Sequence, residues 1–141
     1  MLTRLEVDGF KNLRDLQVDF GPFTCIAGEN GAGKSNVFDA IEFLSLLASR
    51  SLMEAAQEVR STRDDRSGDP SDLFWDGGVE SGQTMQFAAE MIIPRSVEDD
   101  FGRLADASIT FVRYEVSIGY EPPGGLEKLG RLVLERESLT P

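Results

Sequence analysis

The chain opens on a two-residue period. Leu5 and Val7 are apolar between Arg4, Glu6 and Asp8, which predicts a half-buried strand that Gly9 breaks. Lys11-Asn12 is the expected turn. Leu16, Val18 and Phe20 then alternate with Gln17 and Asp19 as a second strand, ended by Gly21-Pro22. Phe23 to Ala27 is a continuous apolar run of buried-strand type and would be the third strand. After it the period becomes helical. From Lys34 to about Ala48, Val37, Ile41, Leu44 and Ala48 make a stripe that Phe38, Phe43 and Leu47 widen, so this helix is expected to be buried on more than one side. Ser51-Leu52-Met53-Glu54 has the form of a capping box and predicts a second helix to about Val59.

Ser61 to Ser71 (Ser-Thr-Arg-Asp-Asp-Arg-Ser-Gly-Asp-Pro-Ser) is a polar loop of disordered composition, and its aspartates lack the spacing of a calcium loop. Beyond it the period returns to two. Met85, Phe87, Ala89 and Met91 alternate with Gln86, Ala88 and Glu90. Val112, Tyr114, Val116, Ile118 and Tyr120 share one face of a long strand, and Leu132 and Leu134 lie on one side of a third. Joined by Pro94 to Ser108 and by Pro122-Pro123-Gly124-Gly125, these three read as an antiparallel sheet. The expected organisation is a mixed α/β domain: residues 1–60 around the first helix, 61–82 as loop and connection, and 83–141 as antiparallel strands.

Composition narrows the chemistry. With 141 residues, 40% hydrophobic and 28% charged, this is one ordinary domain's worth of globular chain. No apolar run is long enough for a membrane span and no signal-peptide core is visible, so the expected location is the cytoplasm, away from membranes. Cys25 is the only cysteine, which rules out an internal disulfide; within an apolar run it reads as a core residue. No histidine exists, so this chain supplies no histidine base, triad or metal ligand. A net charge of −11 argues against a nucleic-acid surface built by this chain alone.

Between the third predicted strand and the helix lies Gly28-Glu29-Asn30-Gly31-Ala32-Gly33-Lys34-Ser35, a full match to the phosphate-binding P-loop G-x-x-x-x-G-K-[ST]. A chance match in a chain this short is on the order of one in 200, and the strand-loop-helix setting is the one the motif needs. Glycines let the backbone curl so that successive N–H groups face a phosphate. The helix adds its unpaired N–H groups and the positive end of its dipole. Lys34 would reach the β- and γ-phosphates of a nucleoside triphosphate, and the Ser35 hydroxyl would hold Mg²⁺. Two other matches are decoys. Asp100-Phe101-Gly102 spells a kinase motif whose histidine-bearing partner cannot exist here. Asp99 to Gly102 fits the D-x-x-G of a GTPase, but the N-K-x-D that reads guanine is missing. No Walker B strand is present either: Leu132-Val133-Leu134-Glu135 lacks the aspartate.

The segment LEVDGFKNLRDLQVDFGPFTCIAGENGAGKSNVFDAI resembles the N-terminus of the RecF/SMC-like branch of ABC-type ATPases. Its closest look is to the AAA-domain ATPases that include the OLD nucleases and phage-defence ATPases. The Gly9-Phe10-Lys11-Asn12 turn, Asn30 and Asn36 around the P-loop, Asp39-Ala40-Ile41 in the helix and the later β-meander carry the likeness. The resemblance implies the N-terminal lobe of an ABC-type head with an antiparallel β subdomain. It implies ATP and Mg²⁺ as cofactors, bound by Gly28, Glu29, Asn30, Gly31, Ala32, Gly33, Lys34, Ser35 and Asn36, with Lys11 and Asn12 carried over from the family's turn. It also implies a Q-loop, signature motif and Walker B later in sequence, so this chain resembles the N-terminal portion of a larger protein. Gln83 and Gln86 precede the strands after which the Q-loop falls, and neither is assigned. The expected partners are a second head, or the C-terminal half of the same protein, with DNA reached through the full assembly. The expected function is ATP binding and hydrolysis in DNA maintenance or phage defence. A nucleotide-controlled interaction module without turnover and a small-metabolite kinase are the alternatives.

Overall fold

The alternating N-terminal residues form the hairpin their pattern predicts. The computed structural model describes residues 1–29, 31–61, 69–75, 82–125 and 129–141. Strands β1 (Leu2–Asp8) and β2 (Leu16–Asp19) pair antiparallel, with Leu5 opposite Val18 and Val7 opposite Leu16. Helices α1 (Lys34–Leu47) and α2 (Leu52–Ser61) follow, then a 3-10 turn over Pro70–Leu73. The long later strands are β3 (Thr84–Ile92), β6 (Phe111–Glu121) and β7 (Arg131–Thr140). Between β3 and β6, the stretch expected to be a plain connection contains a small hairpin of β4 (Ser96–Glu98) and β5 (Leu104–Asp106).

The later strands do not stand apart from the first two. They extend the N-terminal hairpin into one antiparallel sheet of order β2-β1-β3-β6-β7. Register puts Val7, Phe87 and Val116 in one row and Leu5, Ala89 and Tyr114 in another. The apolar half of each alternating strand therefore faces the helices. On the opposite face Arg113 is held by Glu6 at 2.7 Å, Glu90 at 2.8 Å and Glu115 at 2.8 Å, and Arg4 by Glu6 at 2.7 Å. A bulge at Glu135 shifts β7 between Leu134 and Arg136.

Helix α1 is the hub of the core. Val37, Ala40 and Phe43, spaced by three, bury one side of it. Phe43 meets Phe10 at 5.8 Å and Phe87 at 5.6 Å, while Phe10 meets Phe87 edge-on at 5.3 Å. Three elements thus share one aromatic cluster. Ala55, Ala56 and Val59 close the core from α2. The capping box forms as expected: the Ser51 N–H and hydroxyl donate to the Glu54 carboxylate at 3.0 and 2.8 Å, and the Glu54 N–H returns to the Ser51 hydroxyl at 3.4 Å. Of the predicted polar loop, residues 62–68 lie outside the described residues. Its end is ordered by Asp69, whose carboxylate accepts from the Ser71 and Gly130 N–H groups and the Tyr120 hydroxyl, each at 2.9 Å.

Three expectations are overturned. Phe23 to Ala27 is not a strand; it is irregular and largely exposed, with Phe23 88% exposed. None of the described strands pairs with it, and an unpaired run cannot satisfy its N–H and C=O groups as a strand does. Cys25 is accordingly exposed rather than in the core. Helix α1 is also less enclosed than its composition suggests, since Phe38 stands in solvent. Among the described residues, no helix is long and apolar enough to cross a membrane.

Truncating the shared cluster should cost more than truncating an exposed ring. Phe10→Ala removes a fully buried side chain and is expected to lose about 3–5 kcal/mol of stability. Phe101→Ala, at a position 83% exposed, is expected to change it by no more than about 0.5 kcal/mol. Urea denaturation of both variants measures the difference; equal losses would contradict this core.

Candidate nucleotide-binding site

The P-loop leads into α1 through Gly33, which is both the N-cap and left-handed, at φ +88. A side chain at this position would be strained, and the space is already filled: a Cβ there would lie 2.7 Å from Asn12 Oδ1. The Gly33 carbonyl accepts from the N–H groups of Asn36 at 2.9 Å and Val37 at 3.2 Å, which starts the helix. No side chain caps this end, and no acidic residue lies in the first turn. The first N–H groups of a helix have no partner within it, and they carry the positive end of its dipole. An end left without carboxylate or hydroxyl cap is therefore open to an anion, here in a chain with 25 acidic residues.

Lys34 curls back over the loop and its ammonium donates to the carbonyls of Gly28 and Glu29. The charge is thus held directly over the loop that precedes the helix. Gly31 is left-handed at φ +87, and the Ala32 N–H donates to the Glu29 carbonyl at 3.3 Å, so the backbone turns tightly before Gly33. Ser35 is exposed in the first helical turn. Asn30 lies outside the described residues.

The second half of the site is the turn between β1 and β2. The Gly9 N–H donates to the Leu13 carbonyl at 3.0 Å and the Leu13 N–H to the Phe10 carbonyl at 2.8 Å, which closes the turn. Lys11 sits left-handed at φ 50, a conformation that disfavours side-chain-bearing residues. That conformation is held from both sides. The Lys11 N–H donates to the Leu73 carbonyl at 2.7 Å, and its ammonium pairs with Asp39 of α1 at 2.8 Å. Asp39 is the buried carboxylate of the helix, 5% exposed. Next to it, Asn36 donates its side-chain amide to Asn12 Oδ1 at 2.7 Å. The turn and the first two turns of α1 are in this way laced together by one ion pair and one amide pair.

Sequence reasoning named Gly28, Glu29, Gly31, Ala32, Gly33, Lys34, Ser35, Asn36, Lys11 and Asn12, and the fold gathers them around the start of α1. It did not find what Lys11 does. The signal was available: an aspartate amid Val37, Phe38, Ala40 and Ile41 needs a cation if it is buried. Nor did it find that Leu73 to Trp75 brace the turn from beneath, which the local pattern of that segment does not encode. Among the described residues no group of three or more acidic or cysteine side chains could hold a metal ion.

Gly33 offers a direct check. Gly33→Ala is expected to lose about 1–2 kcal/mol from left-handed strain alone, and more from the collision with Asn12. Adding Asn12→Ala should restore the collision part but not the strain. Thermal and urea unfolding of the single and double variants measures both; a Gly33→Ala protein as stable as the parent would contradict this geometry.

Comparison with known proteins places this arrangement. Residues 1–64 match the RecF/RecN/SMC N terminal domain. Over 45 residues, 30% of this chain and 4% of the relative, it is 56% identical to structural maintenance of chromosomes protein 1 of Schizosaccharomyces pombe. Over 61 residues it is 34% identical to the DNA replication and repair protein RecF of Phocaeicola vulgatus, covering 43% of this chain and 16% of that one. Over 44 residues it is 46% identical to the OLD nuclease of Thermus scotoductus, covering 31% and 8%. The chain thus spans between 4% and 16% of the length of these three relatives. The P-loop, the turn that braces it and the helix between them all fall within the matched residues, and through them the chain is RecF/SMC-like, with the OLD nuclease among its relatives.

Proposed function

We propose that the chain binds Mg-ATP at residues 28–36, as the N-terminal lobe of an ABC-type ATPase acting in DNA repair or maintenance in the cytoplasm. The observation that carries this reading is the start of α1: an uncapped helix end, free of acidic residues, with the Lys34 ammonium poised over the loop before it. Lys34 would exchange the carbonyls of Gly28 and Glu29 for the β- and γ-phosphate oxygens, and backbone N–H groups of the loop would hold the β-phosphate. Ser35 would hold Mg²⁺ beside them. Lys11 and Asn12 would keep the turn against α1, so that the loop need not reorganise when phosphate arrives. In functional terms, residues 1–60 supply the phosphate cradle, 61–82 connect, and 83–141 supply the antiparallel strands that support it.

Hydrolysis requires more than the cradle. Water must be positioned or deprotonated, and a carboxylate must help hold Mg²⁺. This sequence offers no Walker B aspartate and no histidine. Turnover therefore depends on a Walker B strand and signature motif contributed from elsewhere, by further sequence of the same protein or by a second head, with two heads closing around two nucleotides. Contact with DNA belongs to that assembly, because a chain of net charge −11 repels phosphate except at a local site such as this one. A role in phage defence is the narrower version of this function, supported by the likeness to the OLD nuclease. The missing Walker B also favours one second reading, a module whose assembly is controlled by bound nucleotide without turnover.

The test is titration of the 141-residue chain with Mg-ATP. Lys34→Ala is expected to weaken binding by about 30-fold or more, the cost of removing one partner from a desolvated charge pair. Phosphate release by the parent chain should be no faster than by the variant. Equal affinities would remove the site from residues 28–36, and robust turnover that depends on Lys34 would place a catalytic group within this sequence.

A further inference from the structure

The inner face of the sheet is closed at one end and open at the other. On β6, Val116, Ile118 and Tyr120 are buried, while Val112 and Tyr114 on the same face are only half-buried. β7 repeats the gradient: Leu132, opposite Tyr120, is buried, and Leu139, opposite Tyr114, is 65% exposed. At this open end a groove of about 560 Å³ lies between α1 and the strands, with Leu44 and Leu47 on one wall and Met91, Val112 and Leu139 on the other. No residue of α2 lines it, and β7 is the last strand of the sheet, so no described strand closes that side. One lining residue breaks the apolar pattern. Glu137 pairs in register with Val116 and so stands on the inner face. The Tyr114 hydroxyl donates to its carboxylate at 2.7 Å. Burial, with Glu137 beside it, pushes the Tyr114 hydroxyl up to about 12, so it remains a donor at neutral pH. Among the described residues Arg113 and Arg131 pair with other carboxylates, and no ion pair reaches Glu137.

That carboxylate decides what can cover the groove. A purely apolar cover would bury it without a cation, which is costly. A second copy supplies no cation in a two-fold, groove-to-groove contact: Glu137 would approach its own counterpart, and each chain carries a net charge of −11. A hydrocarbon ligand supplies none either. An extended peptide would find the main chain of the floor already paired, because β3 and β6 are hydrogen-bonded on both sides. A helix satisfies its own backbone and would extend the helical layer beside α1. We propose that the groove docks a basic amphipathic α-helix, whose apolar face packs on Leu44, Met91, Val112 and Leu139 and carries a lysine or arginine at its margin to meet Glu137. The acidity of the chain favours the approach of such a segment. The groove begins roughly 15 Å along α1 from Lys34, so this docking site is separate from the phosphate site.

Synthetic helices about four turns long serve as probes. Two have leucine along one face and differ only at one margin position, Lys or Glu. A scramble of the lysine peptide keeps its charge and has no apolar face. Calorimetric titration of the 141-residue chain should show saturable binding of the lysine peptide, with the glutamate peptide and the scramble each weaker by about tenfold or more. Leu139→Ser should weaken the lysine peptide on the order of tenfold, and Glu137→Gln should erase the preference for Lys over Glu. Both side chains are exposed, so urea unfolding of each variant should match that of the parent. The three peptides compared on the parent chain decide without any variant. No saturable binding, equal affinity for all three peptides, or binding indifferent to Leu139 and Glu137 overturns the site. Sedimentation of the chain alone covers the remaining occupant: a dimer abolished by Leu139→Ser would put a second copy in the groove and overturn the basic helix.

Discussion

The contact between the β1–β2 turn and the first turns of α1 is the constraint on which the site depends. Lys11 pairs with the buried Asp39 at 2.8 Å, Asn12 accepts from Asn36 at 2.7 Å, and Asn12 fills the space where any side chain at residue 33 would go. Burying a carboxylate within an apolar helix is costly unless a cation meets it, so the pair sets the helix and the turn in one relative position. Phe10, next to Lys11, carries the same relation into the core through Phe43 and Phe87. The sheet, the helix and the loop between them are thereby held by neighbouring residues of a single turn. The left-handed Lys11 is the local strain that this arrangement sustains.

Electrostatics follow the same geometry. With 14 basic residues against 25 acidic ones, the chain as a whole repels phosphate. On the outer face of the sheet, Arg4 and Arg113 are occupied by the carboxylates of Glu6, Glu90 and Glu115. Carboxylates around Arg113, Glu6 first among them, raise its pKa further above the ordinary value. These cations offer nothing to a ligand. At the mouth of α1 the balance differs, because the helix end has neither an acidic residue nor a side-chain cap, and the Lys34 ammonium is held by neutral carbonyls. An anion arriving there would meet short-range dipoles and one ammonium rather than the chain's net charge.

Much of this was legible in the residues, for physical reasons that differ by element. Strands that bury one face must alternate, so Leu5 and Val7, Met85 to Met91 and Val112 to Tyr120 announced themselves. Ser51 and Glu54 announced a helix start because only that spacing lets each satisfy the other's N–H group. Phe23 to Ala27 misled because a run of apolar residues specifies neither a pairing partner nor burial, and none of the described strands pairs with it. Cys25 was misplaced with it. The position of β3 beside β1 was not legible either, since every alternating strand here presents the same kind of face and local pattern does not choose among neighbours. The partner of Lys11 and the bracing of the turn by Leu73 to Trp75 are likewise contacts across long stretches of chain.

The central claim is that phosphate is held by backbone N–H groups where the loop meets α1. Amide-resolved ¹H–¹⁵N NMR during titration with Mg-ATP tests it most directly, because it reads each N–H group separately. The account predicts the largest shifts at Gly31, Gly33, Lys34 and Ser35, with smaller ones at Lys11 and Asn12 and none along the outer face of the sheet around Arg113. Saturable binding whose shifts leave the loop untouched and fall elsewhere would contradict it.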